Sequence, residues 1–243
     1  MPYRRLPNTD SSRLKSLKSA YNKGKELPPF KLAFSQSTYQ KVQSFLNQFE
    51  QSMTLQKHAY STQIQKNKEY INTLKKAKLY ISHFIQVMNL AISRDELPES
   101  TRNYYKLDLH DKKVPLLNTE SEIIQWGQNI IDGETNRIRE GKTPITNPTI
   151  ALVRVKYEQF MEAYNHQKTL QKNTAREQRK LSELRDIADE IIVNIWNEVE
   201  ETFKDLPEDL RREKAKEYGL VYVYRKNEIG KINFFNLNKS VMI

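Results

Sequence analysis

The apolar positions of this chain fall into two long stripes of helical period, separated by shorter segments of different pattern. The first stripe runs through Val42, Leu46, Phe49, Met53, Tyr60, Ile64, Ile71, Leu74, Ile81, Ile85, Met88 and Ile92. These residues recur at steps of three and four, or multiples of them, which is the spacing of one helical face. Neither glycine nor proline occurs from Thr38 to Glu96. An unbroken helix here would be roughly 85–90 Å long at 1.5 Å per residue. The stripe thins between Gln51 and Asn67, which is where a bend would sit. The second stripe comprises Val153, Tyr157, Phe160, Tyr164, Leu181, Leu184, Ala188, Ile191, Ile195, Val199 and Phe203, in a stretch without glycine or proline from Thr149 to Leu206.

Start and stop signals frame shorter elements. Asn8, Thr9 and Asp10 offer N-cap oxygens to a helix with Leu14, Leu17 and Tyr21 on one face, and Gly24 is its expected stop. The segment ELPPF that follows must be extended, because proline disfavours helix in the residue before it. Ser37-x-x-Gln40 reads as a capping box for the first long helix. Thr119-x-x-Glu122 reads as another, opening a helix with Ile123, Gly127, Ile130, Glu134 and Ile138 on one face and a stop at Gly141. Asn147 as N-cap with Pro148 in the first helical position predicts the start of the second long helix. Pro98 and Pro207 break the long patterns, and a short polar helix is expected after each. KLDLHDKKVPLLN reads as extended chain or a small hairpin. In VYVYRKNEIGKINFF the period changes to two, with a turn at Asn227–Gly230, so a β-hairpin is expected.

The expected fold is therefore mainly α: an elongated helical bundle of coiled-coil character built on two long helices, with a small C-terminal β-hairpin. In chain order it divides into a basic N-terminal arm with a short helix (1–34), a first helical unit (35–141) and a second (147–243).

The two long segments echo each other. KVQSFLNQFEQSMTLQK (Lys41–Lys57) aligns without a gap on KYEQFMEAYNHQKTLQK (Lys156–Lys172), and each long stripe ends at Leu-Pro-Glu, followed later by Tyr-x-Leu. Internal duplication is one explanation. Convergence of two amphipathic helices is the other, since helices favour the same residues. The spacing from Lys57 to Leu97 differs from that between Lys172 and Leu206, so one copy would have to rotate its face or bend.

Composition narrows the chemistry. Hydrophobic residues make up 37% of the 243 and charged residues 29%, a balance suited to a helix-rich protein with much exposed surface. The chain has no cysteine, which removes disulfides, zinc–thiolate sites and thiol catalysis together and fits a reducing compartment. MPYRRLPNTD has no apolar segment behind its arginines, and YISHFIQVMNLAI is too short and too polar to span a bilayer. A cytoplasmic protein without membrane insertion is the expectation.

Catalytic signatures are missing from the sequence. With glycines only at 24, 127, 133, 141, 219 and 230, neither a P-loop nor a dinucleotide fingerprint can be written. His58, His83, His110 and His166 share no metal-ligand spacing, and none is preceded three residues earlier by glutamate, as a di-iron bundle requires. Glu162 and His166, one turn apart, fit a surface contact. No serine lies in a G-x-S-x-G setting. The expectation is a protein that is not an enzyme and takes no cofactor or metal.

Charge is what remains. The net charge is +10, unevenly placed: residues 1–31 carry eight Lys/Arg against two acids, 57–78 carry six against one, and 186–209 carry one lysine against nine acids. Lys66, Lys68, Lys75 and Lys76 on the first long helix, with Lys172, Arg176, Arg179 and Lys180 on the second, would form a positive belt if the helices run antiparallel. Such a belt holds phosphates without reading bases. Ordinary solvated helix faces would have the same composition. Arg4, Arg5 and Arg13 belong to a basic arm that either reaches an external acidic surface or lies on the acidic stretch of its own chain or a neighbour's. Tyr222 and Tyr224, beside Arg225, Lys226 and Lys231, would stack on unpaired bases or cap a core. Trp126 and Trp196 should anchor a core or interface, and Gly127 should permit a close helix crossing.

The leading expectation is a non-enzymatic scaffold contacting an acidic partner, nucleic acid or a ribonucleoprotein. The alternative is an assembly subunit of a larger protein complex, or a homo-oligomer, that uses apolar helix faces and charge polarity without nucleic acid.

Overall fold

In the computed structural model, which describes residues 3–224, the two stripes form two continuous helices. Helix α1 is Asp10–Glu26, α2 is Gln36–Ser93, α3 is Thr101–Tyr104, α4 is Glu120–Arg139, α5 is Ile150–Thr202 and α6 is Glu208–Glu217. Two short strands, β1 (Tyr3–Arg4) and β2 (Tyr222–Val223), pair antiparallel, with Tyr3 opposite Val223 and Arg4 opposite Tyr222. The fold is thus mainly α, built on two long helices, with a small antiparallel β pair. The expected C-terminal turn at Asn227–Gly230 lies outside the described residues. Within them, the partner of β2 comes from the N-terminus.

Packing groups the chain differently from chain order. One compact unit takes the chain up to His58 and again from Ala175; the other is Ala59–Thr174. Each long helix gives its first part to one unit and its second part to the other. In the first unit, Val42, Phe45, Leu46 and Phe49 of α2 meet Leu181, Ala188, Ile192, Ile195 and Trp196 of α5, with Leu17 and Ala20 of α1 closing the core. In the second, Ile81, Phe84, Ile85 and Met88 of α2 meet Val153, Tyr157 and Phe160 of α5, with Ile123 and Ile130 of α4 and Tyr105 completing it.

The doubled phrase fills equivalent places in the two units. Tyr105 and Leu107 are buried in one and Tyr218 and Leu220 in the other. Residues of the first phrase pack on α4: a methyl on Gly133 would lie 2.4 Å from the Tyr104 carbonyl oxygen. The second packs on α1: a methyl on Gly219, which has φ +89°, would lie 2.9 Å from the Ser16 carbonyl oxygen. Both α1 and α4 begin with a threonine capping box, at Thr9 and Thr119. Ser52 and Gln167, aligned in the echo, are both buried polar residues.

Several local expectations need correcting. Gly24 does not stop α1, which runs on to Glu26; Pro28 ends it, and the missing side chain at Gly24 makes room for the Tyr39 ring. Helix α2 is capped by Ser35, whose hydroxyl accepts from the Thr38 N–H at 3.2 Å, two residues before the expected cap at Ser37. Asn147 takes φ +61° in a turn, so Pro148 precedes α5, and Thr149 supplies the first carbonyl acceptor. Of the two readings of 106–118, extended chain or a small hairpin, the hairpin does not form. Buried Arg102 donates to the carbonyls of Asp108 and Asp111 and to the Asn89 side chain, which ties this segment to α2 and α3.

The Ser52 hydroxyl is buried inside the first unit with no hydrogen-bond partner among the described residues. An unpaired buried hydroxyl costs about 1–3 kcal/mol. Ser52→Ala should therefore leave stability unchanged or raise it by up to roughly 1 kcal/mol, read as the midpoint of urea unfolding. A clear loss of stability would mean that the hydroxyl has a partner.

Candidate partner-binding face

The first long stripe is not buried throughout. Where α2 passes its thin middle, the core face shifts to Tyr70, Ala77 and Ile81, and the neighbouring line of side chains is left in solvent. Tyr60, Ile64, Ile71 and Leu79 are 53%, 51%, 41% and 61% exposed. The expectation that Tyr60, Ile64 and Ile71 belong to the buried stripe is thus overturned. The cause is the 3.6-residue turn, which drifts against the repeat, so positions in step with the core at one end lie off it further along.

This exposed line is regular. Tyr60, Ile64, Lys68, Ile71, Lys75 and Leu79 follow one another at steps of four and three residues, and Lys76 flanks it. Lys68, Lys75 and Lys76 are exposed and have no ion-pair partner among the described residues. The only acid from 60 to 79 is Glu69, which pairs with Lys66 at 3.2 Å. The face is therefore apolar and cationic, with no carboxylate of its own.

The remaining expected contact residues divide between internal and free roles. Lys172 is exposed, in the unit Ala59–Thr174. In the other unit, Arg176 and Lys180 both reach Glu177, at 3.0 and 3.4 Å, while Arg179 is exposed. The arm lies on the acidic stretch of its own chain. Arg13 forks onto Asp189 with two bonds of 2.8 Å, and Arg185 forks onto Asp10 at 2.7 and 2.8 Å. The bonds from Arg185 hold the Asp10 carboxyl below its usual range. Arg4 donates to the Asn197 side chain at 2.8 Å and lies 3.3 Å from Glu200. Arg5 is exposed without a side-chain partner among the described residues. Tyr222, read as a stacking or core residue, is half-buried and donates to Glu200 at 2.8 Å.

The second unit also holds a buried ionic cluster. Glu134 and Arg137 of α4 are 0% and 2% exposed and form a two-bond pair at 2.8 and 3.2 Å. Tyr105 donates to Glu134, as does the Ile145 N–H at 2.8 Å, and Arg137 donates to the Thr143 carbonyl. Burial works to raise the Glu134 pKa, but these bonds outweigh it and hold the carboxyl below its usual range. Every partner is a protein group, which makes the cluster a clamp joining α4 to Tyr105 and to the 143–145 segment. The glutamate was legible as a member of the α4 face; Glu134-x-x-Arg137 at helical spacing was the signal that it would be paired. Gly127, on the same face, admits the Tyr157 ring of α5: a methyl there would lie 2.4 Å from it.

What these observations define is a helical protein with an unpartnered amphipathic face on α2. No helix among the described residues is long and apolar enough to cross a membrane. No protein-family model, curated protein or solved structure gives a significant match to this chain.

Proposed function

We infer that this is a non-enzymatic interaction protein that docks an acidic amphipathic helix of a partner protein along α2. The observation that carries this reading is the exposed line Tyr60, Ile64, Lys68, Ile71, Lys75 and Leu79. Large apolar side chains aligned on a helix mark an interaction surface. Lysines between them select a partner with carboxylates at the matching spacing, as helix-in-groove and coiled contacts do. An assembly subunit is therefore favoured over a nucleic-acid scaffold, because phosphates gain nothing from Ile71 or Leu79.

Nucleic acid is the second reading. It is supported by the lysines on this face without a carboxylate partner among the described residues, Lys68, Lys75 and Lys76, with exposed Lys172 elsewhere in the same unit. One experiment separates the two. Fluorescence anisotropy is measured with a labelled synthetic helix carrying leucine at three- and four-residue steps flanked by glutamate, and separately with a labelled single-stranded oligonucleotide. The peptide should bind, and Ile71→Ser with Leu79→Ser should weaken it at least roughly tenfold while the variant stays folded, since both side chains are already well exposed. Lys68→Glu, Lys75→Glu and Lys76→Glu together should weaken either probe. Peptide binding indifferent to the serine changes, or oligonucleotide binding that falls steeply with salt and exceeds peptide binding, would overturn the protein-partner reading.

The equivalent placing of capping boxes, long-helix starts, Leu-Pro-Glu breaks and Tyr-x-Leu anchors in the two units supports internal duplication over convergence. Convergence accounts for shared helical residues but not for shared breaks and their packing.

A further inference from the structure

A cleft of about 450 Å³ lies in the unit that contains α1, walled by that helix, by the segment after β1 and by the end of α6 with the turn that follows it. Three cations line it, one from each wall: Arg5, Lys15 and Lys216. All three are exposed, and none has an ion-pair partner among the described residues. No carboxylate among the described residues lines the cleft. The room comes from serine: Ser12, Ser16 and Ser19 present small side chains along one face of α1, where larger ones would fill the space. The lining also has apolar members, with Leu6 and Val221 left 47% and 48% exposed and Leu220 buried.

We propose that this cleft binds a small organic phosphate monoester, its phosphate held by Arg5, Lys15 and Lys216 and its apolar body against Leu6 and Val221. A monoester carries close to two negative charges near neutral pH, which suits three unneutralised cations better than a monocarboxylate does. The Arg5 guanidinium matches two phosphate oxygens at once, and two ammonium groups answer the remainder as point charges. The volume is that of a site for a small molecule and too small for a folded partner. This inference is independent of the α2 face.

Isothermal titration calorimetry on the full chain tests it, with phenyl phosphate, inorganic phosphate and benzoate as the ligands. Phenyl phosphate should bind saturably at one site, more tightly than inorganic phosphate because of the apolar wall, and benzoate should bind at least about tenfold more weakly than phenyl phosphate. Arg5→Ala, Lys15→Ala and Lys216→Ala should each weaken phenyl phosphate by about fivefold or more, with the thermal midpoint unchanged. The variant Lys68→Glu, Lys75→Glu, Lys76→Glu should bind it as the parent does. Absence of saturation below about 10 mM, or binding equal to the parent's by a variant carrying all three alanine substitutions, would overturn the proposal.

Discussion

Glu134→Ala should destabilise the protein by about 3–5 kcal/mol, the range for breaking a buried ion pair from one side. The substitution leaves the Arg137 guanidinium in a site where it is 2% exposed. It also strips an acceptor from Tyr105 and from the Ile145 N–H. Arg137→Ala should cost a similar amount, and the double variant less than the sum of the two, because neither charge is then left alone. The Tyr105, Thr143 and Ile145 groups stay unpaired in the double variant, so it should not return to parent stability. Urea unfolding followed by circular dichroism measures all three. A loss below about 1 kcal/mol for Glu134→Ala would show that the cluster is not a structural clamp.

The same carboxyl predicts a pH dependence. Its folded pKa lies below the ordinary value of 4.5, so its contribution is fully present above 4.5 and is lost as pH falls through the lower folded value. The parent should therefore lose stability over that acid window more steeply than Glu134→Gln, which has no proton to take up there. Parallel curves would remove Glu134 as a contributor.

Gly133→Ala is the second large effect. Alanine normally gains about 1 kcal/mol over glycine inside a helix. Here the added methyl would lie 2.4 Å from the Tyr104 carbonyl oxygen and 2.7 Å from the Tyr105 ring, so backbone has to move. Overpacking of this kind costs about 1–3 kcal/mol and more when backbone is involved, so a net loss of about 3 kcal/mol is expected. Gly24→Ala serves as the comparison, since the atoms nearest its methyl belong to the side chain of half-buried Tyr39 rather than to backbone. Thermal midpoints that fall equally for the two variants would show that the α3–α4 contact is looser than its geometry.

These expectations rest on features that were unequally legible in the sequence. Helix α2 was readable because no residue from Thr38 to Glu96 breaks a helix, and α4 because Thr119 and Glu122 satisfy its first turn reciprocally. Tyr60, Ile64 and Ile71 were misplaced because periodicity reports which residues share a side, whereas burial depends on which neighbour arrives at that side. The sequence left 106–118 open between extended chain and a hairpin for a related reason: Arg102 captures its carbonyls from outside the segment. Of the contact residues, the sequence located the lysines but not their partners, so Lys66, Arg176 and Lys180 were not separable from Lys68, Lys75 and Lys76.

The sequence by itself determined two long helices, the breaks at Pro98 and Pro207 and the uneven charge, because these follow from backbone propensity, proline geometry and composition within single segments. The tertiary structure alone decided that each long helix serves two units, that the basic arm is anchored through Arg13 and Arg185, and that an apolar line on α2 faces water. Those outcomes depend on contacts between residues far apart in the chain, 176 positions for Arg13 and Asp189, and local pattern carries no information about which distant surface will come to rest against it.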